Sequence, residues 1–296
     1  MATLYTHQGE NVRKTIVLMA GFLVMLIGLG WLFAQALQAP QILYVAVVLA
    51  LVMNVLSYWY SDKIALALSG ARAVTREEQT ELYRVVENLC ITAGLPLPRI
   101  YIIEAQQINA FATGRDAKHA AIAVTTGTLE KLNKSELEGV LAHELSHIGN
   151  RDILISTVVV VLAGMIALMS DFFMRSLWFT GGRRDNDRVG GVLMLIGLIV
   201  ALIAPIAATL IRLAVSRERE FLADASGALL TRYPEGLASA LEKIASDQTP
   251  LPFARSGTAH LYIGDPFKGK TALGFVTKLF QTHPPVEERI LRLRNS

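Results

Sequence analysis

The pattern of apolar and polar positions divides the chain into long uncharged stretches and stretches of mixed composition. From residue 15 to residue 61 there is no Asp, Glu, Lys or Arg. A membrane-spanning helix needs about 20 apolar residues, so this stretch is long enough for two of them. The polar segment 38–41 contains Pro40 and predicts the turn between spans at 15–37 and 42–60. The second span ends in an aromatic belt formed by Tyr58, Trp59 and Tyr60.

A secretory signal peptide is the alternative interpretation of the first span. Arg13 and Lys14 precede the apolar run, and the segment 34–36 (Ala-Gln-Ala) resembles a cleavage site. The run is longer than the apolar region of a typical signal peptide, which favours a span. Cleavage would not move the following domain across the membrane, because the second span would still return the chain.

Two further stretches, 153–170 and 189–211, are uncharged and could each span the membrane. The pattern therefore predicts a mainly α membrane protein with four transmembrane helices and a soluble α+β domain built from two parts. The expected divisions are a first pair of spans at 1–61, the first part of the soluble domain at 62–152, a second pair of spans with a 174–189 loop at 153–215, and the second part of the soluble domain at 216–296.

Periodicity within the soluble parts predicts their helices and strands. Short strands are expected over 99–104 and 120–126, with a weaker third over 108–114, which together give a small sheet. A helix ending near Ala93 is preceded by a capping-box spacing at Thr75 and Glu78 and followed by Gly94. Ser135 and Glu138 have the same spacing ahead of a stripe of apolar residues at helical intervals: Leu137, Val140, Leu141, Leu145 and Ile148. Later helices are predicted over 217–230, after Pro234 and over 286–294.

Composition narrows the class of protein further. Hydrophobic residues make up 52% of the chain and charged residues 18%, which favours a membrane protein over a soluble enzyme. The net charge of +3 is too small to indicate a nucleic-acid partner. The single cysteine, Cys90, excludes an internal disulfide and a cysteine-rich zinc site, and its apolar neighbours predict a core position.

The candidate chemistry lies in the segment His143-Glu144-Leu145-Ser146-His147. Two histidines four residues apart lie on one face of a helix, where both imidazoles can bind one Zn²⁺. Glu144 lies beside them, close enough to polarise the water that attacks a peptide bond. A structural pair of helical histidines is the alternative.

A catalytic zinc has three protein ligands, so one is missing from this motif. Glu220 and Asp224 lie four residues apart on one helical face, and two carboxylates so placed need a cation or hydrogen-bond donors nearby. Either they form a solvated face paired with Arg217 and Arg219, or Glu220 is the third ligand. In the second case Asp224 would hold a ligand histidine in the correct tautomer.

The motifs resemble those of the HtpX-type membrane metalloproteases, in the peptidase family that includes the CAAX prenyl proteases. The resemblance rests on His-Glu-Leu-Ser-His at 143–147, Asn-Arg-Asp at 150–152, Arg-Glu-Phe-Leu-Ala-Asp at 219–224, and Thr-His-Pro-Pro at 282–285 followed by Glu-Arg-Ile at 288–290. It implies a zincin-like domain and one Zn²⁺ per chain, bound by His143, His147 and Glu220, with Glu144 as general base. It also implies an endopeptidase of the bacterial inner membrane that acts in the heat-shock response on misfolded or damaged membrane proteins.

The same resemblance assigns further residues to the site. It implies substrate-binding and oxyanion-stabilising roles for His283 and Arg289, for which the alternative is a proline-anchored turn and a surface arginine. Asn109, Ala110, Phe111 and Ala112 resemble the strand that lines the family's substrate cleft, where an extended peptide could pair with a strand edge. The alternative for this segment is an ordinary core strand.

Charge predicts which side of the membrane the soluble domain occupies. The loop at 38–41 is uncharged whereas 61–152 is rich in Lys and Arg, so the positive-inside rule favours a cytoplasmic domain. Ligands that share one metal must be separated by an even number of crossings, so 153–170 and 189–211 both span or both do not. Four arginines in the 174–189 loop argue against the second pair. The expected partners are membrane proteins, unfolded polypeptides and the lipid bilayer; oligomeric state is left open.

Two other functions compete with this prediction. An intramembrane protease would need its paired histidines inside an apolar span, but Glu136, Glu138, Asn150 and Asp152 surround them. The other is a non-enzymatic membrane scaffold whose histidines are structural or bind metal without turnover; an assay of zinc content together with casein-like cleavage would separate it from a protease.

Overall fold

A computed structural model describes residues 4–36, 38–162, 164–166, 216–252, 258–267 and 284–295. The chain begins with two long helices, α1 (Leu4–Ala36) and α2 (Gln41–Leu68). The predicted turn lies between them, and Gln38 adopts a left-handed conformation there with φ of 51°. Both helices are longer than the spans predicted from the uncharged stretch.

Within the described residues, length and composition make two single helices suitable for crossing a membrane, Gly9–Gln35 and Gln41–Leu68. Their outward side chains are apolar and exposed: Val17 is 63% exposed, Val24 70% and Tyr44 71%. An apolar surface of this extent is stable in lipid and unfavourable in water. The two predicted N-terminal spans are therefore supported by the structure.

The extensions of α1 and α2 connect the membrane helices to the rest of the protein. The start of α1 is polar, and Glu10 pairs with Lys14 one turn later at 2.7 Å. The end of α2 continues eight residues beyond Tyr60, where Ala65 and Leu66 are buried in a cluster with Phe111. The second helix thus ends inside the core of the domain that follows.

That domain contains a four-stranded sheet in the order β1-β2-β4-β3. The strands are β1 (Ala71–Ala73), β2 (Arg99–Ile103), β3 (Ala110–Thr113) and β4 (Ala121–Thr125). β2 and β4 are parallel, whereas β1 and β3 run antiparallel to their neighbours. The three predicted strands are present; β1, with only three residues, is too short to show an alternating pattern.

Three helices follow or connect these strands: α3 (Thr80–Ala93), α4 (Thr126–Lys131) and α5 (Lys134–Gly149). Gly94 ends α3 in the left-handed conformation, as predicted, with φ of 66°. Thr75 and Glu78 do bond each other reciprocally, but α3 begins only at Thr80. Cys90 is buried in the core, as expected.

The predicted capping box of α5 was two residues out of register. Asn133 caps the helix by accepting from the Glu136 backbone at 3.0 Å, and the Glu136 carboxylate accepts from the Asn133 backbone at 2.8 Å. Asn is as favourable as Ser at the N-cap, and the sequence contains a capping-box spacing at both Asn133–Glu136 and Ser135–Glu138. Ser135 instead donates its hydroxyl to the Asn133 side chain.

After α5 the chain turns by 85° into α6 (Asp152–Ile166). Arg151 lies in the bend with φ of 58°. Taken as one bent segment, α5 and α6 would make a third candidate span, and α6 covers most of the predicted 153–170 stretch. Val158 and Leu162 of α6 are fully buried in a cluster with Phe22 of α1. The predicted span at 189–211 and the 174–189 loop lie outside the described residues.

The second part of the soluble domain contributes α7 (Arg217–Thr231), α8 (Pro234–Ser246) and α9 (Val286–Arg294). Two glycines allow close approach to α5. A Cβ on Gly227 would lie 3.0 Å from the His143 backbone nitrogen, and one on Gly139 would lie 2.6 Å from that of Leu237. Because Gly227 follows Glu220 by two helical turns, this contact directs the acidic face of α7 toward the histidines of α5.

Candidate metal centre

Three side chains from α5 and α7 converge at one point. His143, His147 and Glu220 each offer a ligand atom, and these atoms all lie within 4.8 Å of one another. The two Nε2 atoms of the histidines are 3.2 Å apart, and the Glu220 carboxylate lies 3.6 Å from His147 Nε2 and 3.9 Å from His143 Nε2. All three predicted ligands are therefore brought together, and they could hold a metal ion.

The donor set fits zinc in chemistry and spacing. Two Zn–N bonds of about 2.05 Å at the tetrahedral angle separate the nitrogens by about 3.3 Å, close to the observed distance between the histidines. Two imidazoles and one carboxylate form a ligand set found in zinc hydrolases. The cavity they border measures about 30 Å³, enough for an ion and about one water.

Each histidine is oriented through its other ring nitrogen by a carboxylate. Nδ1 of His143 lies 3.0 Å from Asp224, the residue predicted for this purpose. Nδ1 of His147 lies 3.1 Å from Asp152. Such contacts fix the tautomer and leave both Nε2 atoms directed at the metal position.

Arg289 is completely buried behind these ligands, which excludes the surface position considered as an alternative. Its guanidinium donates to both oxygens of Asp224 at 2.7 and 2.8 Å, and its Nη1 lies 3.7 Å from Glu220. Arg289 is therefore the cation that Glu220 and Asp224 were expected to require. The alternative of a solvated face on α7 is wrong, since Glu220 is 5% exposed and Asp224 4%.

The bidentate pair of Arg289 and Asp224 controls their charges. Burial favours the neutral acid, but the guanidinium lowers the pKa of Asp224 to about 2. Burial also opposes the charge on Arg289, yet the Asp224 carboxylate raises the pKa of that guanidinium above its usual range. Both groups therefore stay ionised, and His143 faces a permanent carboxylate.

His147 is held by a longer chain of contacts that reaches into the membrane helices. Asn11 of α1 donates to Asp152 at 2.6 Å and to the Asn150 carbonyl at 3.2 Å. Burial disfavours the charged imidazole, but the Asp152 and Glu220 carboxylates raise the pKa of His147 to about 9. These carboxylates therefore favour the protonated ring, and that proton competes with a metal ion for the ring nitrogen.

Glu144 lies between the metal ligands and the sheet. It is 2% exposed, and its carboxylate accepts a hydrogen bond from the Ala112 backbone. Burial raises the pKa of Glu144, while His143 and His147 oppose that shift. A carboxylate with a raised pKa is better suited to accept and return a proton near neutral pH than a solvated glutamate.

The predicted substrate strand occupies one edge of the sheet, next to the metal centre. All four residues of β3 are buried, and Ala112 borders the metal cavity. Phe111 packs edge-to-face on Tyr262 with ring centroids 5.1 Å apart. The small side chain of Ala112 leaves room beside Glu144.

The outer edge of β3 is already engaged by the segment 258–264. The Ile263 backbone donates to the Ala110 carbonyl at 3.1 Å. Both groups of the Asn109 side-chain amide bond the Gly264 backbone at 3.1 Å. His260 and Leu261 of the same segment border the metal cavity. A peptide that pairs with Ala110 must therefore displace Ile263.

The sequence did not reveal every residue of this site. Asp152 was noted within a motif but received no role, although its spacing of five residues from His147 after the helix end was a usable signal. Asn11 carried no signal, because it lies 141 residues from Asp152 in the chain. His283 lies outside the described residues.

Comparisons with known proteins agree with this geometry. Residues 76–296 match the model of peptidase family M48. A protein of Thermoanaerobacter pseudethanolicus named Protease HtpX homolog is 49% identical over 301 residues, covering 99% of this chain and 98% of that protein. A protein of the same name from Pyrococcus furiosus is 50% identical over 284 residues, covering 95% of this chain and 94% of that one.

A solved structure shares the fold. The crystal structure of S. mikatae Ste24p superposes with a TM-score of 0.50 at 17% identity, covering 98% of this chain. This chain spans 66% of the length of that one. The family match and the two highly identical relatives lead to one conclusion: the chain belongs to peptidase family M48, as an HtpX-type membrane metalloprotease.

Proposed function

We propose that this protein is a membrane-anchored zinc endopeptidase that cleaves misfolded or damaged membrane proteins. Its zincin-like catalytic domain acts on the cytoplasmic side of the bacterial inner membrane, as part of membrane quality control under heat stress. The observation that carries the proposal is the convergence of His143, His147 and Glu220 within 4.8 Å, with Glu144 buried beside them.

Zinc would be held by His143, His147 and Glu220, and when bound it supplies Lewis-acid chemistry that polarises the scissile carbonyl and acidifies water. Glu144 accepts the proton of the attacking water and returns it to the leaving amine. The Ala112 N–H bond to Glu144 fixes that carboxylate beside the strand where substrate binds. Arg289 and Asp224 orient His143, and Asp152 orients His147.

The position of β3 at a sheet edge beside Glu144 supports a mode of substrate binding. An extended polypeptide adds to this edge through backbone hydrogen bonds, which read little sequence and suit unfolded segments. The residues that receive it are Asn109, Ala110, Phe111 and Ala112, once Ile263 has left the Ala110 carbonyl. His283 and Arg289 complete the site, with His283 available to stabilise the developing oxyanion.

The membrane arrangement has four crossings. α1 and α2 form the first pair, and the stretches 153–170 and 189–211 form the second. Ligands on both sides of the second pair share one metal, so those two stretches cross together. Basic residues in 61–152 and the uncharged turn at 38–41 favour a cytoplasmic metal centre.

Replacing Glu144 with Gln tests the proposed chemistry. Glu144→Gln keeps the side-chain shape and removes the base, so peptide cleavage should fall at least about 100-fold while zinc content stays unchanged. The cleavage rate is measured on an unfolded, casein-like substrate with the purified full-length protein, and the zinc content is measured by metal analysis.

Glu138→Gln is the matched control, since Glu138 lies on the same helix and, among the described residues, forms an ion pair only with Lys134, at 4.0 Å. It should leave cleavage and zinc content unchanged. Normal cleavage by the Glu144 variant would exclude Glu144 as the base.

A further inference from the structure

A second and larger cavity lies where α1 and α2 meet the soluble domain. It measures about 900 Å³, within the range of pockets that hold small organic molecules, and it shares no lining residue with the metal cavity. One wall consists of apolar side chains of α1: Val12, Ile16, Met19 and Leu23. The lining also includes three basic residues, Arg115, Lys118 and Arg151, which together form a cationic rim.

The rim carries an excess of positive charge. Asp116 is the one acidic residue among the described residues that line the cavity. Its carboxylate is already engaged by the His119 backbone at 2.9 Å, by the His119 ring at 2.7 Å and by Arg115 at 3.7 Å. Lys118 and Arg151 are exposed, and neither has an ion-pair partner within the part of the chain that the structure describes.

The apolar wall extends from this rim into the expected hydrocarbon region. Val12 and Leu23 are eleven residues apart on α1, which corresponds to about 16 Å along the helix axis. Both lie within Gly9–Gln35, a segment suited to crossing the membrane. Arg115 also lies over the ring of Trp59, at 4.6 Å from its centroid, in the predicted aromatic belt. The cationic rim is therefore at the depth of lipid headgroups.

We propose that this cavity binds an anionic phospholipid. The phosphate lies between Arg115, Lys118 and Arg151, and one acyl chain lies along the apolar wall of α1. A soluble anion would use the rim alone and leave the wall unfilled, whereas a phospholipid satisfies both parts. Each basic residue near an anionic lipid surface raises the affinity about fivefold. The rim should therefore bind anionic phospholipid more tightly than zwitterionic phospholipid.

Native mass spectrometry of the full-length protein in detergent tests this proposal. With equal amounts of phosphatidylglycerol and phosphatidylcholine, the protein should retain at least about 25 times more phosphatidylglycerol, about fivefold for each of Lys118 and Arg151, the rim residues without an ion-pair partner among the described residues. The double variant Lys118→Gln/Arg151→Gln should lose about 25-fold in phosphatidylglycerol affinity, since two basic residues are removed. Phosphatidylcholine retention should not change.

The matched control is Arg84→Gln/Lys134→Gln, which removes two charges from exposed positions that do not line the cavity. It should retain phosphatidylglycerol as the unmodified protein does. Equal retention of both lipids, or equal loss in the two double variants, would contradict a specific site. If the first double variant does not fold, as judged by its thermal unfolding, the two single variants replace it, each with about a fivefold expected loss.

Ala20→Trp tests the apolar wall, because it fills that part of the cavity and leaves every charge in place. It should also reduce phosphatidylglycerol retention, and millimolar inorganic phosphate should not displace the lipid. Displacement by phosphate together with normal binding by the Ala20 variant would show a site for a soluble anion and overturn the proposal.

Discussion

Single residues explain why four carboxylates can be buried together at the metal centre. Each of them has a cation or a donor: Asp224 and Glu220 have Arg289, Asp152 has Asn11, and Glu144 has the Ala112 backbone. If one member of such a pair is removed, the other stays buried without a partner. An unpaired buried charge is costly because the protein interior has a low dielectric constant. The residues that do not touch the metal are thus as important to its geometry as the ligands.

Asn11 is the most remote of these residues, and its replacement should weaken zinc binding. Asn11→Ala removes the donor that fixes Asp152, which in turn orients His147. Loss of an outer partner of a metal ligand reduces metal affinity about 10–100-fold. Competition between the purified protein and a chelator measures this affinity.

Asn54→Ala is the matched control for that experiment. Asn54 is also on a membrane helix, but within the part of the chain that the structure describes its side chain bonds only its own helix, at the Ala50 carbonyl. It should leave zinc affinity unchanged. Equal affinities in the two variants would mean that α1 does not help to orient His147.

At this scale the sequence predicted the residues that act locally and missed those that act at a distance. His143, Glu144 and His147 form one motif on one helix, so spacing alone identified them. Glu220 and Asp224 were recognisable as a pair that needed compensation. Arg289 was expected near the substrate, but its burial against Asp224 depends on how α9 packs on α7, which no local pattern encodes.

Among the elements, β3 has the most demanding position, because it is a sheet edge beside Glu144, the proposed base. Its entry is fixed by Asp247, whose carboxylate accepts from the Ile108 backbone at 2.8 Å and from Lys131 at 3.1 Å. The same carboxylate accepts from the Thr249 backbone at 3.0 Å. The end of α8 therefore anchors β3, the strand proposed to bind substrate.

Asp247→Asn should destabilise the protein by about 1–3 kcal/mol at pH 7, since it weakens charge-assisted hydrogen bonds. Burial opposes ionisation, but the Thr249 and Ile108 bonds and Lys131 lower the pKa of Asp247 to about 2. A folded-state pKa below the unfolded value of about 3.9 stabilises the fold above that pH, and the contribution is lost as pH falls toward 2. Thermal unfolding at pH 7 and pH 3 should show a smaller difference from the unmodified protein at pH 3.

Glu138→Gln serves here as a surface control, because its contact with Lys134 at 4.0 Å is weak and exposed. It should change the unfolding temperature little at either pH. A difference for Asp247→Asn that does not shrink on acidification would show that the ionised form is not what stabilises β3.

Elements with strong periodicity were predicted well, and those defined by contacts were not. The apolar stripe of α5 and the Gly94 terminus of α3 are local features, and both appear as expected. β1 has three residues and exists because β2 offers it a partner, so no pattern marks it. α2 continues past its aromatic belt because Ala65 and Leu66 find a core to enter, which depends on the sheet.

On the scale of the whole molecule, the membrane helices and the metal centre form one structure. α6 packs on α1 through Val158, Leu162 and Phe22, and α1 reaches Asp152 through Asn11. The membrane and soluble parts occupy separate segments of the sequence, but they are in direct contact in the structure. The sequence predicted the spans of α1 and α2, but not that their ends contribute to the domain.

The proposed topology places both parts of the soluble domain on the cytoplasmic side, because both contribute ligands to the proposed metal centre. Cysteines introduced at Lys134 and Gln248, in a background with Cys90→Ala, should both be shielded from an impermeant thiol reagent in intact cells and react after lysis. Both positions are exposed on the soluble domain, one in each part. A cysteine at Asn186, in the 174–189 loop, should react in intact cells if four crossings are present.

The three sites give separable outcomes. Reaction of the Lys134 and Gln248 sites from outside would reverse the orientation, and opposite behaviour of those two would contradict a shared metal. Shielding of the Asn186 site alone would reduce the crossings to two and leave the metal centre unchanged.

The metal content of two purified variants tests the account most directly. Glu220→Ala removes a ligand of the proposed centre, whereas Glu218→Ala removes an exposed carboxylate two residues away on the same helix. The unmodified protein and the Glu218 variant should each contain about one zinc per chain, and the Glu220 variant should lose most of its zinc and its peptide cleavage. One zinc per chain in both variants would contradict the three-residue centre formed by His143, His147 and Glu220.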